Sequence, residues 1–217
     1  MAYRRTDNVI RKQAARHAAI LAAAQALAAE RGMAAVQIAP VAERAAIAAG
    51  TVYRYFPAKT ELVSALVAAL AAEEIAAIAA AADRAPGPLS ALAAAIATFA
   101  ARAIGKRRLA FALIAEPVEP ELDAARVSYR TALAAELAKR IGAAHAYLPE
   151  QDLAVAAPAL VGALIEGLIG PLAANADGDP AKARAAVQTV TLFALRALGV
   201  NDARARGLVV QTVFTTF

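Results

Sequence analysis

The sequence predicts an all-α protein, and three observations carry that prediction. Ala alone supplies 68 of the 217 residues, about half of the 60% hydrophobic fraction. It is the best helix former and contributes little transfer energy per side chain. Apolar residues recur three and four apart, as in Ile20, Ala23, Ala24, Leu27 and Ala28, which is the spacing of one helix face. Turn residues fall between such runs, and neither a strand pattern nor an internal repeat is visible.

Taken in order, residues 1–12 are polar and basic without an apolar period and read as a mobile arm. A helix is expected over 12–31, ended by Gly32 in a left-handed conformation. Ile38, Val41 and Ala42 mark a short helix whose Pro40 fits only its first turn. A turn through Ala45, Ala46 and Ile47 leads to a second short helix over 48–56, closed by Pro57. A longer connecting helix over 58–82 then turns Leu62, Leu66, Leu70 and Ile78 inward. Ala85, Pro86, Gly87 and Pro88 form the clearest linker in the chain. Six more helical segments are expected over 89–104, 106–115, 121–141, 149–174, 180–198 and 203–215, with breaks at Gly105, at Pro117 to Pro120, at Gly142, over 175–179 and over 199–202. Pro149 and Pro180 suit first helical turns, and Asp179 suits an N-cap. The acidic group Glu116, Glu119, Glu121 and Asp123 reads as a helix N-terminal cap cluster, not as a catalytic pair.

Charge and composition narrow the function classes. Residues 1–62 hold nine Lys/Arg (Arg4, Arg5, Arg11, Lys12, Arg16, Arg31, Arg44, Arg54, Lys59) against four acids, a net of +5, whereas residues 63–217 hold fourteen of each sign. The whole net charge therefore lies on the first third, the footprint of a polyanion partner. With no Cys there is no disulfide framework, thiolate nucleophile or zinc finger. His17 and His145 are too few and too far apart for a metal site, so no metal or cofactor is expected. The apolar stretch 153–172 contains Glu166, Pro158 and Gly162, which suits a buried or interface helix better than a lipid-spanning one. No basic segment followed by an apolar one opens the chain; a cytoplasmic location is expected. No Ser/His/Asp or paired-carboxylate arrangement is visible, so the chain is not read as an enzyme.

Residues 32–62 concentrate the functional signal. Two very short helices around a tight turn form a helix-turn-helix, whose second helix enters the major groove of DNA. Val52 and Phe56, four apart, share an inward face and leave Thr51, Tyr53, Arg54 and Tyr55 for other partners. The Thr51 hydroxyl suits a phosphate or a base edge, and the phenols of Tyr53 and Tyr55 suit phosphate oxygens. Lys59 adds a point charge, Gly50 permits close approach to the groove wall, and Gln37 opens the first short helix where another phosphate can sit. Ala48 and Ala49 lie at the tip of the reading helix.

Residues 16–62 resemble the DNA-binding domain of the tetracycline-repressor (TetR-like) family of bacterial transcription regulators. The resemblance runs without a gap through Ile20, Leu21, Ala24, Leu27, Glu30, Arg31 and Gly32. It continues through Val41, Ala42, Ala45, Ile47, Gly50, Thr51, Val52, Tyr53, Tyr55, Phe56 and Lys59 to Leu62. It implies a DNA reader over 1–62, a helical effector-binding and dimerisation domain over 63–217, and a homodimer that represses transcription on operator DNA until a small molecule binds. Three departures stand out. Ala46 replaces the usual turn Gly, Gln37 and Ala48 replace the usual Ser/Thr caps, and Ala49 offers bases no polar group, which shifts readout toward Thr51, methyl contacts and DNA shape.

The carboxy-terminal reading rests more heavily on that resemblance. Phe99, Arg102, Phe111, Ile114, Tyr129 and Arg130 lie in the middle helices that would surround an effector pocket, although aromatics at helical spacing also make plain core. An apolar lining implies a hydrophobic or amphipathic effector. In the helix from Pro149, small residues (Ala156, Ala159, Ala163, Gly167, Gly170) and large ones (Leu153, Leu160, Leu164, Leu168, Leu172) recur on different faces. Leu160, Leu164 and Leu168 with Val187, Val190, Ala194 and Leu198 of the next helix would form a four-helix interface across a two-fold axis, unless both faces are internal. The rival classes are a helical ligand carrier or enzyme with an incidental basic patch, and an architectural DNA binder without an effector. No membrane partner is expected.

Overall fold

In the computed structural model the described residues are 2–116, 123–171, 173 and 179–214, the side chains of 2–6 excepted, and among them every regular element is helical. Ten α-helices follow in order: α1 (Ala2–Arg31), α2 (Ile38–Arg44), α3 (Ala49–Tyr55), α4 (Lys59–Asp83), α5 (Pro88–Gly105), α6 (Arg107–Ile114), α7 (Asp123–Ala143), α8 (Leu153–Leu168), α9 (Pro180–Ala197) and α10 (Asp202–Gln211). Short 3-10 turns at Met33–Ala35 and His145–Tyr147 were not foreseen.

The expected arm is instead the start of α1. Residues 2–12 contain neither Pro nor Gly, and extending an existing helix gains a hydrogen bond for each residue fixed. Arg4 and Arg5 have side chains outside the described set. Gly32 ends α1 at φ 83 and ψ 175, a backbone region open only to glycine. Its amide closes onto the Ala28 carbonyl at 3.0 Å.

Ile20, Ala24, Leu27, Val41, Val52, Phe56 and Leu62 are buried together and make the core of the amino-terminal unit. Below it, α5 packs against α4, α6, α7, α8, α9 and α10. Its small residues Ala93, Ala95, Ala97, Ala100 and Ala101 are buried, which is how six helices approach one axis. By length and composition α4 and α5 are apolar enough to cross a membrane; α5 is nevertheless the buried central helix of this fold.

Three boundaries differ from expectation for visible reasons. Pro149 does not open α8: its ring fills the space where a Cβ on Gly199, at φ 85, would stand, and Asp152 caps α8 by accepting from the Ala154 amide at 2.9 Å. At the other end α8 stops at Leu168, where the amides of Ile169 and Gly170 both return to the Ile165 carbonyl. Helix α10 ends at Gln211. By contrast Asp179 caps α9 as expected, accepting from Ala181 and Lys182. The break at Pro117 to Pro120, the acids Glu119 and Glu121, Leu172 and Thr215 lie outside the described residues.

Candidate nucleic-acid interface and inner cavity

The turn of the helix-turn-helix runs through Ala46, whose φ is 52. Left-handed backbone costs an L-residue roughly 1–2 kcal/mol. Ala46 tolerates it because Ile47 must return its amide to the Ala42 carbonyl, at 3.0 Å, to aim α3. Neither short helix is side-chain capped. Ala48 has no acceptor, and Gln37 turns its amide to the Ala34 carbonyl at 3.1 Å.

Helix α3 buries Val52, with Phe56 after it, and leaves the rest exposed or half-buried. Gln37, Ala48, Ala49, Gly50 and Tyr53 face solvent, Tyr53 at 52% exposure. Thr51, Tyr55 and Lys59 are half-buried. A Cβ on Gly50 would meet nothing within 4 Å, so nothing inside the protein requires glycine there. Tyr55 and Phe56 pack against His17 of α1, at ring distances of 6.3 and 5.0 Å. Because the first residues are helical, Lys12 and Arg16 line a groove with Arg54 and Tyr55. The sequence alone reads Lys12 as the end of a mobile arm. Arg44 and Glu30 form a bidentate pair at 2.6 Å that ties α2 to α1, and the Arg44 guanidinium holds the Glu30 carboxyl below its usual pKa.

A second site lies among α4, α5, α6 and α7. Its cavity holds about 50 Å³ of free space, and Phe99, Arg102, Ile114 and Tyr129 line it together with Leu70 and Glu74. Phe111 and Arg130 do not. Phe111 is on the outer side of α6 at 38% exposure, and Arg130 donates instead to the Ile114 carbonyl at 3.0 Å. Arg126, buried, donates to the carbonyls of Ala112 and Glu116. These two arginines thus satisfy the C-terminal carbonyls of α6.

Glu74 and its neighbour Glu73 were not singled out from the sequence. The signal was there: they are the only charges between residues 62 and 82. Glu74 Oε2 accepts from Arg102 Nε at 2.7 Å, while Arg102 Nη2 reaches Glu73 Oε1 at 3.0 Å and Lys106 Nζ lies 3.9 Å from the same oxygen. Burial raises the Glu74 pKa, against the lowering effect of Arg102. Burial, reinforced by the Glu74 charge, also lifts the Tyr129 phenol far above its usual range, so it stays a neutral donor.

Glu116 joins the two sites. From just beyond α6 its Oε2 accepts the Met33 amide at 2.8 Å, across 83 residues of sequence. A Cβ on Gly32 would come within 2.9 Å of the same carboxylate. The expected role of Glu116 in capping α7 is not what the fold uses it for; Asp123 occupies the first turn of α7.

The residues expected at a dimer interface fall mostly inside the protomer. Leu160, Leu164, Leu168, Val187, Ala194 and Leu198 are each at most 5% exposed, and only Val190 is half-buried. The outer face of α8 and α9 carries Val155, Ala159, Gly162 and Phe193 instead, with Val155 64% and Phe193 56% exposed. His145 is exposed, with Nδ1 2.9 Å from the Gly142 carbonyl. Among the described residues no three His, Asp or Glu gather as a metal site.

The described residues thus combine a helix-turn-helix at the amino-terminal end with a cavity among the helices that follow it. Residues 20–66 match the model for bacterial regulatory proteins of the tetR family. A segment of 61 residues is 54% identical to the HTH-type transcriptional repressor KstR of Rhodococcus jostii and 49% identical to KstR of Mycobacterium tuberculosis, covering 28% of this chain. The match spans only 27% and 26% of those relatives. Across 94% of the chain the fold superimposes on that of RolR in complex with resorcinol, at TM-score 0.68, 22% identity and 97% coverage of that chain. The fatty acid degradation regulator FadR of Bacillus halodurans matches at TM-score 0.67, 20% identity, over 86% of this chain and 97% of its own. The chain is similar to the tetR family in sequence over residues 20–66 and to these regulators in fold over most of its length.

Proposed function

We propose that this protein is a cytoplasmic, ligand-responsive transcriptional regulator, a homodimeric repressor of operator DNA and not an enzyme. Residues 1–62 read DNA, and residues 63–217 sense an effector and pair the protomers. The observation that carries the reading is α3. It turns Gly50, Thr51 and Tyr53 outward from a rigid apolar footing, beside Arg54, Lys12 and Arg16, in the one third of the chain that holds the net charge. Gln37, Ala48, Ala49, Tyr55 and Lys59 complete the surface offered to the groove and its phosphates.

Release follows from the walls of the cavity. Helix α4 begins at Lys59 beside the reader and lines the cavity with Leu70 and Glu74, and α6 lines it with Ile114 and reaches Met33 through Glu116. An occupant that displaces either helix shifts one reader relative to its partner, and half-sites at fixed helical phase do not tolerate such a shift. RolR was solved with resorcinol and the Bacillus subtilis FadR with stearoyl-CoA; a small organic effector is the corresponding reading here.

A gel shift with the duplex upstream of the protein's own coding region tests the proposal. Salt-dependent binding is expected. Lys59→Ala should weaken binding to all sequences and reduce the log–log salt slope by about 1. No binding to any duplex at low ionic strength would favour a ligand carrier with an incidental basic patch.

A further inference from the structure

We propose that the inner cavity takes a small neutral molecule, an apolar ring bearing a hydroxyl, whose O–H donates to Glu74 Oε1. This rests on the sensor reading above and names the chemistry of that site.

Glu74 lines the cavity, and its two oxygens are unequal. Oε2 is engaged by Arg102 Nε at 2.7 Å, whereas Oε1 is buried with no hydrogen-bond partner. A buried carboxylate oxygen left without a donor is costly, and a ligand that supplies one recovers that cost. The free acceptor therefore calls for a donor.

Charge decides the ligand's own state. Glu73 and Glu74 are matched by Arg102 and Lys106, and the Arg102 donors already point at the two carboxylates. A carboxylate or phosphate ligand would meet Glu74 at close range and find Arg102 taken. An ammonium would add a third cation beside Arg102 and Lys106. A neutral donor meets neither penalty. The Tyr129 hydroxyl, which lines the same cavity and makes no hydrogen bond to any described residue, offers a second polar contact. Phe99, Leu70 and Ile114 provide the apolar remainder. The free space in the cavity is only about 50 Å³, which suits one small ring better than a long acyl chain.

The test uses the full chain and five probes: phenol, 4-methylphenol, toluene, benzoate and benzylammonium, with binding measured by calorimetry and thermal shift. The two phenols are expected to bind about tenfold or more tightly than toluene, and both ions more weakly still. In Glu74→Leu the preference of 4-methylphenol over toluene should vanish while toluene binding is kept, and Glu74→Gln, which retains an oxygen acceptor, should show an intermediate preference. Benzoate or benzylammonium binding as well as the phenols, toluene matching 4-methylphenol in the natural chain, or a preference that survives Glu74→Leu would each overturn the proposal, as would failure of every probe to bind. Duplex binding by the same samples without probe separates the two readings. Its loss counts against the regulator, and its persistence beside a failed probe series counts against the ligand class alone.

Discussion

Ala46 and Ala48 show how much a single residue can withhold from an element that still forms. Ala46 sits at φ 52 where glycine would be unstrained. Ala46→Gly removes roughly 1–2 kcal/mol of left-handed strain and gives back about 0.5–1 kcal/mol in chain entropy. Urea unfolding should therefore show a net stabilisation of about 0–1.5 kcal/mol. Ala48 already holds the extended backbone of an N-cap, φ −70 and ψ 144, but has no oxygen. Ala48→Thr should add about 0.5–2 kcal/mol. A lowered denaturation midpoint for Ala46→Gly would contradict the strain account, and an unchanged one for Ala48→Thr the capping account. The Ala46 strain was readable from the departure from the family pattern; its sign of φ needed the fold.

At the scale of elements, α6 is an eight-residue helix that connects the cavity to the helix-turn-helix unit. Its last carbonyls are held by Arg126 and Arg130 of α7, and Glu116 beyond its end holds the Met33 amide. Burial lowers the Arg126 pKa from its usual value, yet an arginine remains charged at neutral pH. Glu116→Ala leaves the Met33 amide without its acceptor and should cost about 1–2 kcal/mol, with faster hydrogen exchange at that amide. Glu116→Gln, which keeps an oxygen acceptor, should lie between the two. Unaltered exchange at Met33 in Glu116→Ala would remove this link between α6 and the turn after α1. The same element explains where Arg130 goes: it faces solvent and is engaged with the Ile114 carbonyl, so it is not among the residues lining the cavity.

For the whole molecule, the open apolar face is on α8 and α9. Val155, Ala159 and Gly162 follow one stripe of α8, and Val190 and Phe193 follow one stripe of α9; a Cβ on Gly167 would stand 3.9 Å from Val190, which places the stripes side by side. An exposed apolar patch with small residues at its centre favours close pairing with a second copy. Sedimentation should find a dimer, and Phe193→Glu with Val155→Asp should give a folded monomer with weaker duplex binding, because one reader contacts one half-site. A dimer that survives both changes would move the interface elsewhere.

Much of the fold was legible because its signals are local. Gly32, Pro57, Asp179 and the 85–88 linker each end or start a helix through their own backbone chemistry, and the charge asymmetry and helix-turn-helix spacing needed no neighbours to be read. Helices that are apolar on every side carry no such signal for orientation. The periodicity of α8 and α9 defined faces, but only packing against α5 and α7 decided that Leu160, Leu164 and Val187 turn inward while Val155 and Phe193 turn out. Long-range polar contacts were equally unreadable. Glu116 reaches Met33, and Arg102 reaches Glu74, because helices distant in sequence meet in space, and those meetings are set by how the side chains of all ten described helices fill one interior.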